Sequence, residues 1–187
     1  TYGDFSAMIQ PIWGFGRFQM LFMTQLGNAF WGAHFWPTLV LLGPIYRLYV
    51  NPVTLVVIQS VMMGLGAIPV YLIARDRLQT PVMGVVFAVL YLIFPAIQWP
   101  NLSDFHETLL VPPLLLFTLY YLDKQKYLLS FIFVVLALGC KEDVSIAIAM
   151  IGFYTLIVKR VRGFGLLLTG IGTVWFFVVV FMVIPYF

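Results

Sequence analysis

Charged side chains and cysteine are both scarce in this chain. Only 9% of its 187 residues are charged, while 63% are apolar and the mean hydropathy is +1.03. Soluble domains carry about 25% charged and about 45 to 50% apolar residues, so the composition excludes a soluble domain and predicts a polytopic membrane protein. The single cysteine, Cys140, excludes an intramolecular disulfide and a thiolate metal cluster. A net charge of only +3 gives no reason to expect a nucleic-acid partner.

Long apolar runs are abundant, and they predict an all-α bundle of six transmembrane helices over residues 52–187. A helix needs about 20 apolar residues to cross a hydrocarbon core. The aromatic residues 1–35 and the apolar segment Trp36–Tyr49, broken at Gly43-Pro44, are typical of interfacial or re-entrant helices in an extracytoplasmic loop, residues 1–51. We expect one transmembrane domain over residues 1–187, in a chain that lacks flanking spans of a longer protein. The predicted spans are Pro52–Ala74, Thr80–Trp99, Thr108–Leu122, Tyr127–Cys140, Val144–Val158 and Gly163–Phe187.

Basic residues predict how the bundle is oriented. Seven of the ten lysines and arginines fall in three short turns, and short loops rich in these residues stay in the cytoplasm. The turns at Arg75, Lys124 and Arg160 are therefore predicted to be cytoplasmic. The intervening turns at residues 103–107 and 141–143, together with the N-terminal stretch, are then extracytoplasmic.

The turn at residues 141–143 is the strongest physical indication of a site. The predicted spans on its two sides have 14 and 15 residues and reach only about 21 and 22 Å at the helical rise per residue. Both are shorter than the hydrocarbon core, so we expect Lys141, Glu142 and Asp143 below the membrane surface. Charged, non-helical backbone at that depth is tolerated only inside protein or beside water. This predicts a polar cavity that opens to the extracytoplasmic side.

Other polar residues of these loops are candidates for the same cavity, and each has a structural alternative. Asp104 and Glu107 have the spacing of a capping box at the start of the third span, and Asp143 could be only the N-cap of the fifth. Lys141 and Glu142 could neutralise one another. His106, next to Glu107, could bind a metal ion, move a proton or only form hydrogen bonds. The other candidates are His34, which lies between aromatic residues, and Asp4, which could be only a solvated loop carboxylate.

The order of short motifs along the chain resembles a known family. Asp4, Gln10 and Trp13 match its opening DLGIFDQALW, and further motifs extend the resemblance over essentially the whole chain. The family comprises multi-spanning bacterial and archaeal membrane proteins catalogued as domain-of-unknown-function family 2079. The further motifs are His34-Phe35-x-Pro37, Gly43-Pro44-x-Tyr46, Gly66-Ala67-x-Pro69-x-Tyr71, Ala74-Arg75, Tyr91-Leu92-x-x-Pro95-Ala96, Asp104-Phe105-His106-Glu107 and Lys141-Glu142-Asp143.

This resemblance implies a GT-C-like fold, that of membrane glycosyltransferases which take sugar from a polyprenyl-phosphate donor on the extracytoplasmic face of a prokaryotic cytoplasmic membrane. It implies that Asp4, Glu107 and Asp143 are catalytic, with Asp4 as general base or metal-associated carboxylate. Lys141 would hold the donor phosphate, and Glu107 or Asp143 would orient the acceptor or a divalent cation. The implied partners are membrane lipid and a polyprenyl-phosphate sugar. The expected substrate-binding residues are His34, Asp104, His106, Lys141 and Glu142.

A second hypothesis is a non-catalytic subunit of a larger membrane complex, derived from the same fold. The family opening has a second aspartate where this chain has Ile9, so a pair of carboxylates is not available in the first loop. An aromatic content of 18% also provides much surface for lipid or partner subunits. A transporter or pigment-binding protein fits less well, because two histidines offer few axial ligands and no predicted span has a charge at its centre.

Overall fold

The protein is mainly helical in the residues that the computed structural model describes, which are 9–14, 22–23, 28–29 and 34–187. Besides connecting loops, these residues include one short antiparallel ladder, and the predicted all-α class is confirmed. In chain order the elements are α1 (9–14), β1 (Phe22–Met23), β2 (Asn28–Ala29), α2 (Leu39–Leu48), α3 (Pro52–Leu65), α4 (Ala67–Leu78), α5 (Pro81–Ile93), α6 (Pro95–Ser103), a 3₁₀ turn (Glu107–Leu110), α7 (Val111–Asp123), α8 (Tyr127–Leu138), α9 (Val144–Ile157), α10 (Arg162–Val178), a π-helical turn (Val179–Val183) and α11 (Ile184–Tyr186).

Two helices in the described part of the chain are long and apolar enough to cross a membrane. One is Pro52–Leu78, which contains α3 and α4, and the other is Arg162–Tyr186, which contains α10, the π-helical turn and α11. α5 and α6 are bent by 42° at Phe94 and form a third span if they are counted together. α8 and α9 have 12 and 14 residues, fewer than the roughly 20 that cross a bilayer. The six-span topology therefore stays a prediction.

Side-chain caps and prolines determine where α3 and α5 begin. Asn51 Oδ1 accepts a hydrogen bond from the Val53 N–H at 2.9 Å, and Thr80 Oγ1 accepts one from the Met83 N–H at 3.3 Å. Each cap is followed by a proline at the first helical turn, where the N–H that proline lacks would have no helical partner. The starts of both helices therefore agree with the prediction from the sequence to within one residue.

The chain divides into two compact units, and the second comprises Asn51–Ala137. Within it α4 packs on α5, where Gly84 leaves room for an aromatic ring: a Cβ at Gly84 would lie 2.7 Å from Tyr71 Cδ2. The Phe117 ring of α7 stacks on the Phe133 ring of α8, with centroids 4.8 Å apart and planes at 15°. Close backbone approach at small residues and stacked rings hold these apolar helices together.

Charged pairs join the ends of α4 and α7 in the same unit. Arg77 Nη2 lies 2.5 Å from Asp123 Oδ2, and Lys124 Nζ lies 2.7 Å from Asp76 Oδ2. Arg75 contacts the same carboxylate as Lys124, at 2.9 Å. The two basic turns of this unit therefore lie together, and the side of the membrane that they face stays a prediction.

The first unit comprises Thr1–Val50 and Leu138–Phe187, and α9 and α10 are its most extensively packed pair of helices. Their backbones approach closely at glycine. A Cβ added at Gly172 of α10 would lie 2.6 Å from both the Ser145 carbonyl oxygen and the Ala149 nitrogen of α9. Such close contact replaces the hydrophobic driving force that is missing between helices in lipid.

The segment around α2 differs from the prediction. The sequence predicts a break at Gly43-Pro44, but α2 continues through Pro44, although proline cannot donate to the Val40 carbonyl. Leu42 and Tyr46, four residues apart, are only 6% and 2% exposed, so burial of one helix face offsets the lost hydrogen bond. The interfacial helices predicted within residues 1–35 lie mostly outside the described residues, where only 9–14 are described as helical.

Candidate functional site

The candidate residues lie in two loop regions, one in each unit. In the first unit, residues 34–38 contact residues 139–142. In the second unit, residues 104–107 contact α3. Asp4, which the resemblance makes catalytic, lies outside the described residues. In the first region the loop of residues 34–38 lies against the turn before α9, and in the second region the loop of residues 104–107 lies against α3.

A histidine and a carboxylate form the most specific contact of the first region. His34 Nδ1 lies 2.9 Å from Glu142 Oε1, although the residues are 108 positions apart. The Glu142 side chain is 15% exposed and that of His34 is 48% exposed, so the carboxylate is the more buried partner. In the neutral tautomer that donates from Nδ1, the proton-accepting nitrogen is Nε2. This is the arrangement in which a carboxylate orients a general base.

Backbone contacts hold the two segments of this pair in place. The Thr38 N–H donates to the Gly139 carbonyl at 2.9 Å, and Ser145 Oγ donates to the Glu142 carbonyl at 2.5 Å. Trp36, two residues after the histidine, is only 1% exposed. The position of the histidine therefore follows from a buried indole and a backbone hydrogen bond as well as from its own side chain.

Electrostatic contacts favour the ionised form of the Glu142 carboxyl. Burial alone would raise the pKa of this group, but the hydrogen bond from His34, its backbone hydrogen bond and the charges of His34 and Lys141 outweigh burial, so its pKa is lowered. Oε2 of this carboxylate is buried and has no hydrogen-bond partner in the described part of the chain. An acceptor in that state favours binding of a group that can donate a hydrogen bond.

Lys141 and Asp143 flank this carboxylate in the turn before α9. Asp143 is exposed and is the N-cap of α9, yet its side chain makes no capping hydrogen bond. The capping alternative for this residue is therefore not observed. The turn is held by its backbone, because the Val144 N–H donates to the Lys141 carbonyl at 3.3 Å and the Ile146 N–H donates to the Asp143 carbonyl at 3.1 Å. Backbone hydrogen bonds and the Ser145 hydroxyl thus fix the shape of this turn.

In the second region, Gln59 of α3 holds the loop of residues 104–107. The Gln59 side chain donates from Nε2 to the Asp104 carbonyl at 3.2 Å and accepts at Oε1 from the His106 N–H at 2.6 Å. Phe105, between these contacts, is 2% exposed, and Glu107 begins the 3₁₀ turn at 8% exposure. The N-cap of that turn is His106, so Asp104 is not the N-cap that the capping-box alternative requires.

Sequence reasoning does not identify two residues of this second region. Gln59 is completely buried, and Asn101 Oδ1 accepts hydrogen bonds from Gln59 Nε2 and Ser60 Oγ, both at 3.2 Å. The available signal is an amide within an apolar span, since polar side chains in such segments face protein or water. A single uncharged amide adds no charge and hardly changes the mean hydropathy of a span, so neither property of the sequence indicates it.

Metal ligands are not grouped in the described part of the chain. No three histidine, cysteine, aspartate or glutamate side chains there are placed to hold a metal ion together. The divalent cation implied by the resemblance therefore stays an expectation.

Comparison with known proteins identifies a family for this chain. A search of the curated proteins and a search of the solved structures each found no match. A family model does match residues 8–187, and its description is "Predicted membrane protein (DUF2079)". The match includes both loop regions and excludes Asp4. The chain therefore belongs to the DUF2079 family of predicted membrane proteins.

Proposed function

We propose that the protein is a membrane glycosyltransferase with a GT-C-like helix bundle, which takes sugar from a polyprenyl-phosphate donor on the extracytoplasmic face. The observation that carries the proposal is the hydrogen bond between His34 and Glu142, next in sequence to Lys141. It combines a proton-accepting imidazole, an ionised carboxylate and a cation, which suit transfer of a group from a phosphate to a hydroxyl. The high apolar content of the chain supports a donor that is held in lipid.

In the proposed reaction, the acceptor hydroxyl gives its proton to His34 while its oxygen bonds to the anomeric carbon of the sugar. The bond from that carbon to the phosphate oxygen breaks, and polyprenyl phosphate leaves with the bonding electrons. Glu142 stabilises the imidazolium that forms, and Lys141 holds the departing phosphate as a point charge. Glu142 and Lys141 thus each stabilise one charge that develops during transfer.

The other carboxylates have supporting roles in this proposal. Glu107 is buried, and burial of a carboxylate is costly unless it is paired or coordinates a metal ion. We therefore propose Glu107, before the exposed Asp143, as the group that orients the acceptor or a divalent cation. Because His34 is the general base in this proposal, Asp4 keeps the other role that the resemblance implies, that of a metal-associated carboxylate. Asp104 and His106 are proposed to bind substrate through the same loop as Glu107.

Donor turnover in liposomes tests the proposal. The protein is reconstituted with polyprenyl-phosphate glucose, mannose or galactose in turn, and release of polyprenyl phosphate is measured. Glu142→Gln is expected to lower kcat by about 100-fold, because it removes the carboxylate that orients His34 and so impairs general-base catalysis. Lys141→Met is expected to raise the KM for the donor, while Lys126→Met, in a predicted cytoplasmic turn, leaves it unchanged. Full turnover by both His34→Gln and Glu142→Gln would exclude this site.

A non-catalytic subunit is the second candidate, and one observation favours it. Polar groups in both regions are bonded within the chain, from Gln59 to the 104–107 loop and from Thr38 to Gly139, as in a rigid element that needs no ligand. Native mass spectrometry after gentle detergent extraction distinguishes the candidates. A fixed stoichiometry with other subunits and no turnover of any donor supports the subunit, whereas a lone particle with turnover supports the transferase.

A further inference from the structure

Gln59 is a completely buried amide in the longest candidate membrane span. Its Nε2 donates to Asn101 Oδ1 and to the Asp104 carbonyl, both at 3.2 Å, and its Oε1 accepts from the His106 N–H at 2.6 Å. Both N–H groups of the amide and its oxygen therefore have partners. Burial of an amide without partners would cost several kcal/mol, roughly 2 to 7 depending on the reference state, so this side chain is tolerated in the span because of these contacts.

The two backbone contacts determine the shape of the loop that precedes Glu107. They bind the carbonyl before Phe105 and the N–H after it, so one side chain fixes the backbone on both sides of a buried ring. Glu107 follows directly at the first position of the 3₁₀ turn and is 8% exposed. Gln59 thus fixes the backbone at His106, directly before Glu107, and so constrains the direction of the Glu107 side chain.

We infer that Gln59 is a positioning residue, which holds the 104–107 loop and so fixes the positions of Glu107 and His106 within the second unit. The inference rests on the proposed function, in which both residues act on substrate. Gln59 itself touches the loop backbone and acts only through it. A displacement of about 1 Å in such a group is enough to lower turnover about 100-fold, so loss of the anchor is expected to reduce kcat more than donor binding.

The experiment compares three variants of the reconstituted protein. Gln59→Met keeps the length of the side chain and removes all its hydrogen bonds, while Gln59→Glu keeps an acceptor for the His106 N–H and removes the amide donor. Ser60→Ala is the matched control, because it removes a bond to the same Asn101 Oδ1 and leaves both loop contacts. Hydrogen exchange of the peptide that contains His106 reports the anchor without any substrate, and donor kinetics report its role in turnover.

The expected result for Gln59→Met is faster exchange in the 104–107 peptide, unchanged exchange in α7 and a kcat at least about tenfold lower at similar KM. Gln59→Glu is expected to fall between this variant and wild type, and Ser60→Ala to resemble wild type. Unchanged exchange in Gln59→Met would overturn the anchor. Faster exchange with unchanged kcat would overturn the positioning role and leave the proposed function intact. A wild type that turns over no donor would overturn the proposed function and this inference together, whatever the exchange shows.

Discussion

At the scale of single residues, the contact between His34 and Glu142 gives the stability of the protein a dependence on pH. The folded pKa of Glu142 is lowered, so the contact stabilises the fold above the pKa of the unfolded carboxyl, about 4.3. That contribution is lost as the pH falls through the lower folded value. We expect Glu142→Gln to lower the free energy of unfolding at pH 6 by about 1 kcal/mol, a value limited by the half-exposed imidazole. Thermal unfolding of the variant and the wild type between pH 6 and 3.5 should show that their difference in stability becomes smaller as the pH falls.

Asp143→Asn is the control for this prediction. It removes a neighbouring exposed carboxylate that makes no capping hydrogen bond, so its unfolding should follow that of the wild type over the same pH range. If Glu142→Gln lost as much stability on acidification as the wild type, the carboxylate would not be the group that titrates.

How well the sequence predicts single residues depends on their charge. Glu142 and Lys141 could be found because charged residues are so rare in this chain that each one needs a reason. The partner of Glu142 could not be assigned, because His34 lies 108 positions away and only the fold brings them together. Gln59 was not found, since its importance lies in three contacts with other segments and not in its own charge.

At the scale of elements, the packing of α9 on α10 depends on glycine at the contact. A Cβ at Gly172 would lie 2.6 Å from two backbone atoms of α9, which cannot move aside as a flexible side chain can. We expect Gly172→Ala to destabilise the protein by about 1 to 3 kcal/mol through overpacking. The midpoint of unfolding in a denaturant titration of the detergent-solubilised protein measures the effect.

Gly170 offers a control two residues away on the same helix. A Cβ there has no neighbouring atom within 4 Å, so Gly170→Ala should stabilise the helix slightly, by up to about 1 kcal/mol, because alanine has the higher helix propensity. Equal effects of the two substitutions would mean that backbone approach does not hold these helices together.

The positions of helix ends were predictable where the signal is local. Asn51 and Thr80 cap their helices directly before prolines, and both starts follow from neighbouring residues alone. The break expected at Pro44 was wrong, because burial of Leu42 and Tyr46 outweighs a single lost hydrogen bond. A proline disfavours a helix through the loss of one or two hydrogen bonds, and the free energy gained by burying apolar side chains can be larger than that loss.

At the scale of the whole molecule, apolar composition predicts a membrane protein more securely than it predicts the number of spans. Hydropathy averages over a window and does not report where a helix ends or bends. α8, with 12 residues, is about 18 Å long, about 12 Å less than a hydrocarbon core of about 30 Å. A helix of that length crosses only if the bilayer thins or if its turns lie beside protein or water.

The topology around α8 can be decided by labelling introduced cysteines. The basic residues Lys124 and Lys126 favour a cytoplasmic position for the turn before α8, and the six-span prediction then places the turn after it on the opposite side. We expect Asp143→Cys to react with a membrane-impermeant maleimide in intact cells and Gln125→Cys to react only after the membrane is opened. The native Cys140 is completely buried, so the parent protein should stay unlabelled and serves as the control. Equal labelling of both cysteines in intact cells would make α8 a re-entrant helix, and fewer than the four predicted spans would then precede Glu142.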